Sequence, residues 1–215
     1  MLPTQHLSDA LLIDYAAGTV SEGWSLAIAT HLALCPACRN RVLAAEAVGG
    51  AMIEAIEPES VSEDALAATL ARIEADGESE PRRPAVPPAD TLFPEPLRSY
   101  LANAGGIAWR RLSPSAQTFI IPTGDRTTTA RLLKIAAGAA MPVHSHRGLE
   151  LTLVLQGAFH DEGGTFARGD IEEANQEVEH QPIAMPGADC ICLAVTDAKL
   201  KFRGLPRLLQ PFLGI

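Results

Sequence analysis

The 215-residue chain contains no window of about 18 consecutive apolar residues, which excludes a membrane-crossing helix. Its first ten residues have no basic cluster and no sustained apolar run, so no secretory signal is expected and the chain reads as soluble and cytoplasmic. Basic residues are scarce, 17 Lys+Arg against 26 Asp+Glu, for a formal net charge of −9. Nucleic acid and anionic membranes both require a cationic surface, so neither is expected as a partner. Aromatic residues make up 5% of the chain, and no internal repeat of fixed period appears. What is present, 47% hydrophobic against 20% charged residues, is the composition of a globular protein of one large or two modest domains.

The charge divides unevenly. Residues 1–80 hold 13 acidic groups against Arg39, Arg41 and Arg72, a balance of −10, and the remainder balances to +1. Between the halves, residues 77–96 contain six prolines and no apolar periodicity. Proline fixes φ and removes a backbone donor, so this segment reads as an extended linker between a domain at 1–76 and another at 97–215.

The first domain lacks strand-like alternation and reads as four short helices. Ser8 and Asp9 offer N-caps for a helix over 9–17 that ends at Gly18, Thr19 with Glu22 forms a capping-box pair for a helix toward Leu34, Pro36 opens a third, and Ser60 with Glu63 starts a fourth. The second domain changes texture. Short β-rich runs at 118–121, 131–135, 150–155 and 190–195 alternate with Gly- and Pro-bearing turns, the pattern of an all-β sandwich or barrel.

Two clusters carry chemistry. In His31-x3-Cys35-x2-Cys38, positions four apart share a helix face and Pro36 turns the chain so that the second sulfur joins the first. His6 is the natural fourth donor, although spacing alone does not select it. Two imidazoles and two thiolates complete a tetrahedral structural zinc site with no open position. Such a site stabilises a small helical domain whose core is thin. The alternatives are buried small residues or a redox dithiol, but a thioredoxin-type pair follows a strand and this region has none.

The second cluster is Gly138-x5-His144-x-His146-x3-Glu150-x6-Gly157. Residues two apart on a strand share a face, so His144 and His146 point together, with Glu150 reaching the same centre from the next strand. After Gly169-Asp170, His180 is the candidate fourth ligand. Three imidazoles and a carboxylate suit a divalent ion such as Zn, Fe, Mn or Ni, zinc being the expected one. His160 fits neither set and reads as a rim histidine. Cys190 and Cys192 share one face of a strand, either as core packing or as a thiol pair near the metal that can be oxidised.

At these residues a resemblance is plain. His6, the Leu11-Leu12-x2-Tyr15-Ala16-Ala17-Gly18 run and His31-Leu32-x2-Cys35-x2-Cys38-Arg39 resemble the zinc-binding anti-sigma domain. The run from Gly138 to Gly157 resembles the first cupin motif. The second motif departs from pattern, with Arg168 where a proline is usual and Asn175-Gln176-Glu177 before the last histidine. Together the halves resemble the ChrR family of anti-sigma factors.

That resemblance implies His6, His31, Cys35 and Cys38 as zinc ligands, and an extracytoplasmic-function sigma factor held 1:1 by the N-terminal domain. It also implies a cupin domain needed to release the sigma factor on stress, with singlet oxygen as the signal. An acidic clamp suits a basic sigma factor, with apolar residues such as Leu12 and Tyr15 packing between its regions. A rival reading is a cupin dioxygenase or isomerase with the zinc domain as an appendage. A DNA-binding zinc finger fails because its module would be basic.

Overall fold

The computed structural model describes residues 2–75 and 92–198, with the backbone of 201–202. Most of the expected linker, 77–91, lies outside the described residues. The helices come first. Helix α1 (Asp9–Ala16) is capped by the Ser8 side chain, which accepts from the Leu11 N–H, and Gly18 at φ 70° turns the chain out of it.

Helix α2 (Glu22–Leu34) departs from expectation. Ser21, not Thr19, takes the extended N-cap position, so Glu22 falls in the first helical turn and cannot close a capping box. Thr19 instead donates to the Asp14 carbonyl, and the Glu22 carboxylate accepts from the Tyr100 hydroxyl at 2.7 Å and the Asp125 N–H at 3.0 Å. Helix α3 (Pro36–Glu54) opens on Pro36, whose missing N–H costs nothing at that position. Helix α4 (Ala65–Ala75) buries none of its residues, and a short α5 (Leu97–Asn103) buries Leu97 and Leu101, one helical turn apart.

The rest is antiparallel β-structure. Strands β1 (Arg110–Ser113), β2 (Ala116–Ile121), β3 (Thr129–Ile135), β4 (His144–Ser145), β5 (Glu150–Gln156), β6 (Ala158–Asp161), β7 (Gly164–Ala167), β8 (Ile171–Ala174), β9 (Glu179–His180), β10 (Ile183–Ala184), β11 (Cys190–Thr196) and β12 (Lys201–Phe202) follow in order. They form a six-stranded sheet in the order β1-β2-β3-β11-β5-β8 and two three-stranded sheets, β10-β6-β7 and β12-β4-β9. The four β-rich runs read from the sequence lie inside β2, β3, β5 and β11. Helices followed by a β-rich half is the fold class that the sequence predicted.

One contiguous core joins Leu7, Leu12, Leu26, Ile28 and Leu32 of the helical segment to Leu132, Leu151, Leu153, Leu155, Leu193 and Val195 of the large sheet. At roughly 1.5–3 kcal/mol per buried aliphatic side chain, this packing outweighs any surface ion pair in the molecule. Helix α2 runs against β5 and β11, and a Cβ at Gly23 would collide with Thr128. Residues 1–47 and 92–215 accordingly form one compact unit, and Val48–Thr91 forms a second. Leu12, expected to face a partner, is 1% exposed and belongs to this core, because the apolar face of α1 is spent on α2 and the sheet. Among the described residues no helix is long and apolar enough to cross a membrane.

Candidate metal centres

The first centre is built from the segment before α1 and the α2–α3 junction. His6 precedes α1 in irregular backbone, His31 sits in the last turn of α2, Cys35 is the extended residue that ends α2, and Cys38 is in the first turn of α3. Their four donor atoms lie within 4.8 Å of one another. His6 Nδ1 is 3.3 Å from Cys35 Sγ and 3.6 Å from Cys38 Sγ, so tertiary structure supplies the fourth member that spacing left open.

His31 Nδ1–H donates to the Gly169 carbonyl at 2.9 Å, which fixes the tautomer, while its Nε2 is buried without a hydrogen-bond partner. Burial pushes the His31 pKa down to about 4, so the ring is neutral and offers a lone pair. Burial and the neighbouring Cys35 sulfur push the Cys38 thiol up. Two thiols and two imidazoles crowded around one point, with an orphaned buried nitrogen among them, fit a metal ion. Cys35 and Cys38 would bind such an ion as thiolates, giving up their protons, and His31 Nε2 would find in it the partner it otherwise lacks.

The second centre lies in the β-rich half. β4 and β9 pair antiparallel with His144 opposite His180, and His146 is two residues further along from His144. His180 Nε2 lies 3.1 Å from His144 Nε2 and 3.2 Å from His146 Nε2, and all three rings are buried. His144 Nδ1–H donates to the Pro142 carbonyl at 3.0 Å, leaving its Nε2 as an acceptor. Burial pulls His144 and His146 down to about 4. Three buried imidazole nitrogens that converge on one point need a cation or a proton between them, so this trio fits a metal ion.

Glu150 stands beside the trio. Its Oε2 is 3.5 Å from His146 Nδ1, its Oε1 accepts from the Thr152 hydroxyl at 2.9 Å, and burial raises its pKa to about 7. Two carboxylates that the sequence reading missed hold His180 Nδ1, Asp161 at 2.7 Å and Glu172 at 3.0 Å. Burial alone would lower His180, but Glu172 and Asp161 outweigh it and raise it to about 9. Strand alternation was the available signal. Asp161 shares a face with buried Phe159, two residues earlier, and Glu172 shares one with buried Ala174. His160, between Phe159 and Asp161, is exposed, as a rim histidine should be.

Next to the trio is a cavity of ≈ 240 Å³ lined by His144, His180, Glu150, Glu172, Cys190 and Cys192 among others. The two thiols are reduced, buried and 3.6 Å apart at sulfur, on one face of β11. The hydrogen bond from Cys192 lowers the Cys190 pKa, while Cys192, donating that bond in an enclosed position near Glu172 and Glu150, is pushed well up.

Comparison with known proteins agrees with this arrangement. Residues 98–199 match the model of the ChrR cupin-like domain. The chain is 51% identical over 213 residues to the anti-sigma-E factor ChrR of Cereibacter sphaeroides, covering 98% of each chain. It is similar in fold to a chain of the Rhodobacter sphaeroides SigE complex with the anti-sigma ChrR. There the TM-score is 0.77 at 48% identity, covering 89% of this chain and 98% of that one. With an acidic helical half, a four-donor His/Cys cluster, a histidine trio in a cupin half and identity of this extent, the chain belongs to the ChrR family of anti-sigma factors.

Proposed function

We propose that this protein holds an extracytoplasmic-function sigma factor in a 1:1 complex through residues 1–76 and releases it on oxidative stress, singlet oxygen being the signal, through the cupin at 97–215. Its place of action is then the cytoplasm, where sigma factors meet RNA polymerase. The observation that carries this reading is the likeness, over nearly the whole chain, to a ChrR that was solved in complex with SigE. In this reading His6, His31, Cys35 and Cys38 hold a structural zinc ion. His144, His146 and His180, with Glu150 alongside, hold a divalent ion in the cupin, zinc being the first candidate. Cys190 and Cys192, facing the same cavity, are the redox-active pair. Co-purification of the full chain with sigma factors from its host, together with a transcription assay, tests the central claim. A protein that binds no sigma factor and leaves transcription untouched overturns it.

Two features of the chain support the partner. Leu66, Leu70 and Ile73 lie along one face of α4 and are exposed, as are Met52, Ile53 and Ile56. Exposed aliphatic residues at helical spacing lack the packing that would stabilise them in an isolated chain, and a partner helix supplies it. Replacing Leu70 and Ile73 together with Asp should weaken sigma binding about 100-fold or more while leaving metal content unchanged; binding at wild-type strength would exclude this face. The −10 balance of residues 1–80 should also steer a basic partner. The association rate should fall at least about tenfold between 50 and 500 mM salt, and a salt-independent rate would count against steering.

A further inference from the structure

The cupin half meets the first metal centre at the turn between β7 and β8. The turn between β7 and β8 is held to β5 by the Gly169 N–H, which donates to the Val154 carbonyl at 2.8 Å. The Gly169 carbonyl, in turn, receives His31 Nδ1–H. The next residue, Asp170, is 4% exposed and turns its carboxylate toward the N-terminal segment. Its Oδ1 accepts the Thr4 N–H at 2.6 Å and the Gln5 N–H at 3.0 Å, and its Oδ2 accepts the Ala167 N–H at 2.8 Å. Thr4 and Gln5 lead directly into His6. Gly169 has φ 93°, and a Cβ there would stand 2.8 Å from Pro3 Cγ and 3.6 Å from Leu34 Cβ.

We propose that the Gly169–Asp170 turn is the outer coordination sphere of the His6/His31/Cys35/Cys38 site, with Gly169 and Asp170 acting as positioning residues for its two histidines. Charge-assisted bonds from a buried carboxylate to successive backbone N–H groups are short and directional, so they fix where His6 begins. The carbonyl fixes which nitrogen of His31 faces the metal. The metal of the sigma-binding half is therefore held in part by the cupin, through a strand whose Glu172 contacts His180. This inference rests on the metal-binding reading of that site, and its test separates the two.

The test uses full-length protein loaded with Co(II), whose thiolate charge-transfer absorption reports this site, because Cys190 and Cys192 are not among the donor atoms grouped around the histidine trio. Decay of that band after addition of a strong chelator gives the release rate. Asp170→Ala and, independently, Gly169→Ala should release the ion about tenfold faster or more, the loss expected of an outer-sphere partner, with a shifted band. Glu173→Ala removes the neighbouring contacts to Ser8 without touching residues 3–6 or His31, and should release at the wild-type rate. Far-UV circular dichroism checks that each variant folds. Wild-type release from folded Gly169→Ala and Asp170→Ala, or equal acceleration by Glu173→Ala, overturns the inference alone. Absence of the thiolate band in the wild type overturns the metal reading as well.

Discussion

A Cys35→Ser protein should contain one equivalent less of metal and should leave its sigma factor free without any stress. The cysteine is fully buried at the α2–α3 junction, its sulfur touching His6, and a serine hydroxyl is a poor ligand for an ion that the other three donors cannot hold as tightly. Structural zinc contributes on the order of 10–16 kcal/mol to the folding of small modules, against about 5–15 kcal/mol for a whole domain's stability. Loss of the ion leaves the buried His31 Nε2 unsatisfied and the α2–α3 corner without its clasp. Because Leu26, Ile28 and Leu32 also pack on the large sheet, α2 should persist while the corner and α3 open. Zinc analysis, hydrogen exchange over residues 35–47 and a sigma-dependent transcription assay measure this. A variant that still inhibits transcription with full helix protection would sink the structural role of the metal.

His144→Ala should give the opposite split: basal inhibition retained, response to stress lost. Removing one of three converging imidazoles should lower cupin metal affinity by more than the roughly 10–100-fold typical of outer-sphere partners. No residue of the helical half lies among the groups around His144 that make up the histidine trio. The first centre and its absorption should therefore be unchanged. Metal content of the two sites and sigma release under singlet oxygen, compared with wild type, check the division of labour. Constitutive release from His144→Ala would contradict it, because the cupin metal would then be needed for holding sigma and not for letting it go.

Much of the site chemistry was legible because it is written in local spacing. His31, Cys35 and Cys38 meet by helical geometry across one proline, and His144 and His146 meet by the period of two in extended chain. The runs inside β2, β3, β5 and β11 were legible for the same reason, being long enough to show their apolar pattern. Short elements were not. Helix α5 spans seven residues with two buried leucines, too little periodicity to stand out after the prolines at 94 and 96. The Thr19 capping box failed because Ser21 takes the N-cap position two residues nearer the helix. Asp161 and Glu172 were not singled out, although strand alternation points both inward to His180.

By itself, the sequence determined the two-part character of the chain, the acidic bias of its first part, and two sets of metal-capable side chains close in the chain. These are properties of composition and short-range geometry, which need no knowledge of how distant segments meet. Only the tertiary structure decided that Leu12 is core, that His6 is the fourth member of the first cluster, and that Asp161 and Glu172 orient His180. It alone brought Gly169 and Asp170 to the two histidines, across sequence separations of 138 and more than 160 residues. Contacts at that distance are set by how apolar faces close over one another, as α2 does over β5 and β11, and no local pattern records which polar groups that closure brings together.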